Sequence, residues 1–138
     1  MNPEATARQP VIHRELALET LATLRTLATD AARAAGVGSE RAGHFAVAVD
    51  EAMTNAIRYA GGGRVSITVV PGESVEVEVS DDGPGIPPET PRDLPPPDAV
   101  SGRGLWLMRN LCDQLDIDTG PSGTIARLVI LVSPTEAG

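Results

Sequence analysis

Lysine is absent from this 138-residue chain, and all eleven of its basic residues are arginine. The absence excludes a Walker A phosphate loop and a protein-kinase fold, because both need a Lys beside the phosphates. It also excludes Schiff-base catalysis, which needs a side-chain amine. The formal net charge is −8 and no segment gathers the arginines into a patch. A nucleic-acid partner is therefore not expected.

Cysteine, aromatic residues and long apolar runs are also scarce. Cys112 is the only cysteine, so no intramolecular disulfide can form, and a reducing, cytoplasmic location is expected. The longest apolar stretches, such as residues 128–132, have the length of a strand, so no membrane partner is expected. Aromatic residues make up 2% of the chain. A core of Ala, Val, Leu and Ile suits helices packed on a sheet.

The length predicts one domain with a real hydrophobic core and is too short for two. We place this domain at residues 11–132. Residues 1–10 are polar and are predicted to form a disordered tail, and residues 133–138 a short one.

The predicted order of elements is strand, helix, helix, strand, strand, helix, strand, strand. The first helix, residues 16–35, ends at Gly36. Ser39 is expected to cap the second helix, which runs to about Ala60. Two β-branched runs joined at residues 71–73 predict a hairpin, and residues 115–132 a second one. The pattern predicts an α+β fold, a two-layer sandwich with helices on one face of a mixed, mainly antiparallel sheet.

Glu51 and Asn55 are four residues apart on the second predicted helix and therefore share one face. A carboxylate there can take a proton from a hydroxyl, and a neutral amide oxygen can join phosphate oxygens and water around Mg²⁺. The alternative is a solvated polar pair on an amphipathic helix.

Asp81, Gly83 and Gly85 stand where the second hairpin strand ends. The glycines permit a close backbone approach. A carboxylate at this place can accept a hydrogen bond from the amino group of adenine and would repel the carbonyl of guanine. Asp82 is the neighbouring candidate, although Asp81 has the spacing to both glycines. An ordinary Asp/Gly/Pro turn is the alternative.

Gly102, Arg103, Gly104 and Leu105 open the third predicted helix. Glycines at a helix start leave backbone N–H groups free to face a phosphate, and the helix dipole favours negative charge there. With no Lys in the chain, Arg103 is one possible cation for those phosphates. Thr124, at the start of the last strand, carries a hydroxyl that can hydrogen-bond a phosphate. The alternative is that Thr124 has only a structural role in the turn and strand.

The stretch between the aspartate and glycine motifs holds six prolines in residues 86–100, so regular structure cannot continue through it. A connection of this length is usually functional or disordered. We interpret residues 86–101 as a lid over a nucleotide, with a disordered surface excursion as the alternative. His13 and His44 are too few and too separate to form a metal cluster.

The order and spacing of these motifs resemble the GHKL superfamily of ATPases and kinases, which share the Bergerat fold. The resemblance covers residues 11–132. Within the superfamily, the segments 50–57 and 102–108 are similar to those of stand-alone anti-sigma factor serine/threonine kinases, the RsbW-like group. The chain departs from the usual pattern with Tyr59, where a His is common, and with its proline-rich lid.

The resemblance implies ATP and Mg²⁺ as cofactors, with Glu51 as general base, Asn55 as the Mg²⁺ ligand and Asp81 as the adenine anchor. It also implies two protein partners, a sigma factor and an anti-anti-sigma protein of the STAS type that is phosphorylated on Ser or Thr. A homodimer is expected on the same basis.

Three alternatives to this function are considered, and the first is the main rival. A regulatory module could hold ATP, or no nucleotide, and act only by binding partners. An ATPase fragment of a larger machine is disfavoured because the sequence offers no second domain. A histidine kinase is disfavoured because neither His13 nor His44 lies in a long dimerisation hairpin.

Overall fold

The computed structural model describes residues 12–90 and 103–137. Its strands are β1 Ile12–Leu16, β2 Gly63–Val70, β3 Ser74–Asp81, β4 Gln114–Gly120 and β5 Gly123–Leu131. Its α-helices are α1 Leu21–Ala35, α2 Ser39–Ala60, α3 Gly104–Leu111 and α4 Pro134–Ala137, and a 3₁₀ turn at Leu18–Thr20 precedes α1. The predicted order of the eight main elements is confirmed.

The five strands form one sheet in the order β1-β2-β3-β5-β4, and all four pairings are antiparallel. The sequence predicted a mixed, mainly antiparallel sheet; the antiparallel pairing is confirmed, and the described strands contain no parallel pair. β3 lies at the centre, because β5 returns beside it after α3 and β4. Asp81, the last residue of β3, therefore lies between two other strands instead of at a sheet edge.

One face of the sheet packs against the helices and the other is polar. Alternate residues of β2, β3 and β5 point into the core, as the period of two in a half-buried strand requires. The largest fully buried side chains come from both layers: Leu24, Phe45, Val49, Met53, Val65, Ile67, Val75, Val77, Met108 and Leu128. The opposite face carries ion pairs such as Arg127 with Glu78, at 3.0 Å. The two-layer α+β architecture is confirmed.

Helix α2 is the element that links the core to the candidate site. Small and apolar residues at helical spacing form its buried stripe: Ala42, Phe45, Ala46, Ala48, Val49, Ala52, Met53 and Ala56. Glu51 and Asn55 flank that stripe and are only half-buried. The helix ends at Gly61, as predicted.

The start of α2 differs from the prediction, because Gly38 and not Ser39 holds the cap position. Ser39 is the first helical residue, and no side chain of the cap residue bonds the first turn. The backbone N–H of Gly38 instead donates to Glu136 Oε2 at 2.7 Å. A carboxylate from far along the chain thus accepts a hydrogen bond at the helix start, where the prediction placed a local hydroxyl.

Other boundaries also shift. The first α-helix begins at Leu21, five residues later than predicted, after the 3₁₀ turn. Helical spacing in the sequence extends to Leu115, but helix α3 ends at Leu111, because Cys112 adopts an extended backbone with φ −129° and ψ 165°. The predicted tail at residues 133–138 contains the helical turn α4, which the hydrogen bonds of Glu136 hold in place. The predicted tail at residues 1–10 lies outside the described residues.

Within the two described ranges, no helix combines the length and the hydropathy that a membrane crossing requires.

Candidate functional site

Asp81 is a buried carboxylate on the helix side of the sheet. Its side chain follows Val79 in the inward alternation of β3, and the residue is 8% exposed. The backbone N–H of Gly83 donates to Asp81 Oδ1 at 2.9 Å. Thr124, also 8% exposed, is its register partner on β5. A charged acceptor and a hydroxyl thus stand side by side at the end of the central strands.

Two glycines let the neighbouring backbones close around Asp81. Gly123 has φ +139°, and a Cβ placed there would lie 2.0 Å from the backbone oxygen of Asp81. Gly85 has φ +89°, and its Cβ would lie 2.5 Å from the oxygen of Gly120. Both positions exclude a side chain on conformational and steric grounds. The space around Gly83 is also too small for a side chain, since a Cβ placed there would lie 2.6 Å from Ala60 Cβ.

Three polar groups, which we call the hydroxyl chain, join the loop after Asp81 to the β4–β5 hairpin. The backbone N–H of Ile86 donates to Thr119 Oγ1 at 2.8 Å. Thr119 Oγ1 and Thr124 Oγ1 are hydrogen-bonded at 2.8 Å. Sequence reasoning missed Thr119, because it lies in no glycine or carboxylate motif. A role for Thr119 could be inferred only from its pairing with Thr124 across the β4–β5 hairpin.

An apolar cavity of about 350 Å³ opens on the same side of the sheet. Its walls include Ile86, Leu105, Ile117 and Thr119. Ile86 opens the segment predicted to be a lid, and Leu105 belongs to the predicted glycine motif of α3. Asp81 and Thr124 do not line this cavity, and Thr119 connects the two places, because it lines the cavity and is hydrogen-bonded to Thr124.

Glu51 and Asn55 meet the first turn of α3. A Cβ placed on Gly104 would lie 3.1 Å from Glu51 Oε2 and 4.0 Å from both side-chain heavy atoms of the Asn55 amide. A Cβ at this position would require the Glu51 carboxylate to move by a few tenths of an ångström. The structure thus brings together Glu51, Asn55 and Gly104, and Leu105 connects this group to the apolar cavity.

The electrostatic surroundings raise the pKa of Glu51. Burial against the helices is the main cause, and the neighbouring Asp50 carboxylate adds to it, while Arg58 acts in the opposite direction. Asp50 itself is held by Arg25, whose Nη2 lies 2.7 Å from Asp50 Oδ1. A carboxylate with a raised pKa is a better proton acceptor than an ordinary one.

Arg58 is a second residue that the sequence reasoning missed. It follows Glu51 by seven positions and Asn55 by three, so the three side chains share one helical face. Its guanidinium lies 5.9 Å from the centre of the Tyr59 ring. Arg103 directly precedes α3 and is exposed. Gly102 and residues 91–101 of the predicted lid lie outside the described residues.

The described residues of this site offer few ligands for a metal ion. Among residues 12–90 and 103–137, no group of three or more His, Cys, Asp or Glu side chains is arranged to hold a metal ion. Mg²⁺ in nucleotide sites needs no such cage, because one or two protein oxygens together with phosphates and water suffice. The amide oxygen of Asn55, next to the start of α3, fits that requirement.

Cys112 stands apart from this chemistry. Its thiol donates to the backbone oxygen of Met108 at 2.8 Å. Burial and the neighbouring Asp113 raise its pKa to about 11. The thiol is therefore protonated near neutral pH and is a poor nucleophile.

The profile of the histidine kinase-like ATPase domain matches residues 15–130. The chain therefore belongs to this family of ATPase domains, part of the GHKL superfamily. Membership makes it a kinase-like domain that binds ATP.

Three known proteins are similar to this chain in sequence or in fold. Blue-light-activated histidine kinase 2 from Erythrobacter litoralis is 34% identical over 101 residues, which cover 68% of this chain and 29% of the relative. The structure of the RsbU and RsbW domains of a Mycobacterium tuberculosis protein matches with a TM-score of 0.63 at 21% identity, covering 89% of this chain and 32% of that one. A histidine kinase domain from Erythrobacter litoralis matches with a TM-score of 0.56 at 25% identity, covering 95% of this chain and 70% of that one. The chain thus spans less than a third of the first two relatives.

Proposed function

We propose that this domain transfers the γ-phosphate of Mg·ATP to a serine or threonine of a partner protein. The observation that carries the proposal is the approach of Glu51 to the start of α3, where a Cβ on Gly104 would lie 3.1 Å from Oε2. Phosphates bind at helix N-termini. A carboxylate at that point stands next to the end of the phosphate chain, where an acceptor hydroxyl would arrive.

The adenine end of the nucleotide is assigned to Asp81 and the apolar cavity. The Asp81 carboxylate would accept from the adenine amino group, and Ile86 and Leu105 would contact the ring faces. Thr124, beside Asp81, supplies a hydroxyl to the same edge of the base. Gly83 and Gly85 hold the loop close to α2 and to the hairpin, respectively, so that the base can reach Asp81.

The phosphate end is assigned to the start of α3 and the facing side of α2. Backbone N–H groups from Gly102 to Leu105 would bond phosphate oxygens, with Arg103 and Arg58 as the nearby cations. The Asn55 amide oxygen would bind Mg²⁺, which neutralises charge on the phosphates when it is bound.

In the transfer step, Glu51 orients the acceptor hydroxyl and takes its proton. The hydroxyl oxygen then forms a bond to the γ-phosphorus, and the bond from that phosphorus to the β–γ bridging oxygen breaks. The products are the phosphorylated side chain and ADP. The protein contributes mainly positioning and charge neutralisation, as in phosphoryl transfer generally.

We further propose that the partner is a STAS-type anti-anti-sigma protein and that the domain, as a homodimer in the cytoplasm, also binds a sigma factor. The support is the sequence resemblance of segments 50–57 and 102–108 to the RsbW-like kinases. The fold likeness to a protein with an RsbW domain is consistent with it.

The test is phosphate transfer from labelled ATP to a STAS-domain protein, with mapping of the modified residue. The parent is expected to produce an acid-stable phosphoserine or phosphothreonine. Glu51→Gln should lose transfer and keep ATP affinity within about threefold, because the base does not hold the ground-state nucleotide. Equal transfer by Glu51→Gln and the parent would exclude Glu51 as the base.

A second candidate function, the ATPase domain of a histidine kinase, is favoured by the 34% identity to the blue-light-activated kinase. The two candidates differ in the chemistry of the product, since phosphohistidine is lost in acid and phosphoserine is not. Acid-labile label on a supplied histidine-containing partner would favour this candidate. ATP binding with no transfer to either kind of partner would leave the third alternative, a regulatory module that acts by binding alone.

A further inference from the structure

The hydroxyl chain beside Asp81 has a fixed donor at one end, the backbone N–H of Ile86. A backbone N–H can only donate, so the Ile86 amide, 2.8 Å from Thr119 Oγ1, occupies one of the two acceptor positions of that oxygen. Each threonine hydroxyl has a single proton to donate. A hydroxyl that accepts a hydrogen bond becomes a stronger donor, because bonds in a chain polarise one another.

Thr119 Oγ1 is in turn hydrogen-bonded to Thr124 Oγ1 at 2.8 Å, and either hydroxyl can be the donor in this bond. Donation from Ile86 to Thr119 and from Thr119 to Thr124 leaves the proton of Thr124 for a further acceptor. Thr124 is the register partner of Asp81, and both residues are 8% exposed. In that arrangement, a hydroxyl donor stands next to a carboxylate acceptor at the end of the sheet.

We propose that Thr119 is a specificity-determining residue that makes Thr124 a hydrogen-bond donor, so that the Asp81–Thr124 pair selects adenine over guanine. The Watson–Crick edge of adenine presents an amino donor beside the N1 acceptor, which complements an acceptor beside a donor. Guanine presents a carbonyl acceptor beside an N1–H donor and meets the opposite pattern. This inference rests on the proposed placement of the base at Asp81.

Thr119 acts through Thr124 and is a positioning residue, so the test must separate selectivity from stability. We would measure binding of Mg·ATP and Mg·GTP by calorimetry to the parent and to Thr119→Val, which keeps the branched shape and loses the hydroxyl. ATP affinity is expected to fall about tenfold and GTP affinity by less than about twofold, since a lost hydrogen bond matters only to the base that uses it. Thr119→Ser should retain the parent's ATP:GTP ratio within about twofold.

The matched control is Thr68→Val, a strand threonine on the opposite face of the sheet, which should leave the ratio unchanged. In a Thr124→Val background, Thr119→Val should have no further effect on the ATP:GTP ratio, because the Thr124 hydroxyl through which Thr119 acts on the base is already missing. Thr119→Ala serves the same purpose if the valine variant does not fold.

An unchanged ATP:GTP ratio in Thr119→Val would overturn the inference, and so would additive losses in the double variant. If the parent binds ATP in these experiments, either result leaves the proposed function standing. A parent that binds neither nucleotide would overturn the proposed function and the inference together.

Discussion

The carboxylate of Glu51 and the backbone of Gly104 approach so closely that a single methyl group would disturb them. A Cβ on Gly104 would lie 3.1 Å from Glu51 Oε2. The two residues come from different helices and are brought together by the packing of α3 on α2. The proposed base is thus positioned by the same helix whose first turn is assigned to the phosphates.

Gly104→Ala is predicted to reduce phosphate transfer about tenfold while leaving the domain as stable as the parent, or slightly more so. The added Cβ pushes the Glu51 carboxylate by a few tenths of an ångström, and proton transfer is sensitive to such displacements. Alanine in a helix is favoured over glycine by about 0.5–1 kcal/mol. Transfer kinetics and thermal unfolding would be measured together. Gly43→Ala, at an exposed position of α2 with nothing within 4 Å of its added Cβ, is the control that should leave transfer unchanged.

Asp81→Asn is predicted to weaken Mg·ATP binding by about tenfold or more. The amide can still accept from Gly83, but the charged acceptor for the adenine amino group is lost, and hydrogen bonds to charged groups contribute about 1.5–3 kcal/mol. The neighbouring Asp82 is the control, because its side chain is 79% exposed and pairs with Arg64 at 3.0 Å. Asp82→Asn should bind ATP like the parent. Equal losses in the two variants would contradict the assignment of the base to Asp81.

The order of elements and the Asp81 motif were predictable because their signals are local. Alternating β-branched runs indicate half-buried strands, and glycines end both long helices at Gly36 and Gly61. Asp81 stands at the end of such a strand with two glycines after it, so its place in the structure followed from a short window of sequence.

Thr119 and Glu136 could not be found in this way, because their partners are distant in the chain or are backbone groups. Thr119 accepts a hydrogen bond from the Ile86 amide, which is 33 residues away in the chain. Glu136 accepts a hydrogen bond from the Gly38 amide, 98 residues away, at the helix start where the sequence predicts a Ser39 cap. Local propensity cannot report which distant group will satisfy a helix end.

Two substitutions beside Glu51 are predicted to move the pH dependence of phosphate transfer in opposite directions. Activity should rise with pH through the pKa of Glu51, because the base must be deprotonated. Asp50 raises this pKa, so Asp50→Asn should shift the acidic limb to lower pH. Arg58 lowers it, so Arg58→Gln should shift the limb to higher pH. The measurement is single-turnover transfer at saturating ATP from pH 4 to pH 9, and shifts in one common direction would contradict the electrostatic account.

Glu136→Gln is predicted to destabilise the fold at neutral pH and to lose that effect in acid. The Ser133 amide donates to Glu136 Oε1 at 2.9 Å, the Gly38 amide donates to Oε2 at 2.7 Å, and Arg41 contacts the same carboxylate. These backbone hydrogen bonds, that of Ser133 first, hold the pKa of Glu136 at about 2, below its ordinary 4.5. A depressed pKa stabilises the fold fully above the unfolded value, and the contribution fades as the pH falls from about 4.5 toward about 2.

The measurement is the midpoint of thermal unfolding of the parent and of Glu136→Gln between pH 7 and pH 2. The parent should unfold at the higher temperature at pH 7, and the two midpoints should converge below about pH 4.5. Glu40→Gln, at an exposed acidic residue in the first turn of α2, is the control for a change of charge alone and should give a smaller difference at pH 7. A gap between parent and Glu136→Gln that stays constant down to pH 2 would mean that Glu136 contributes by packing, not by its charged hydrogen bonds to the start of α2.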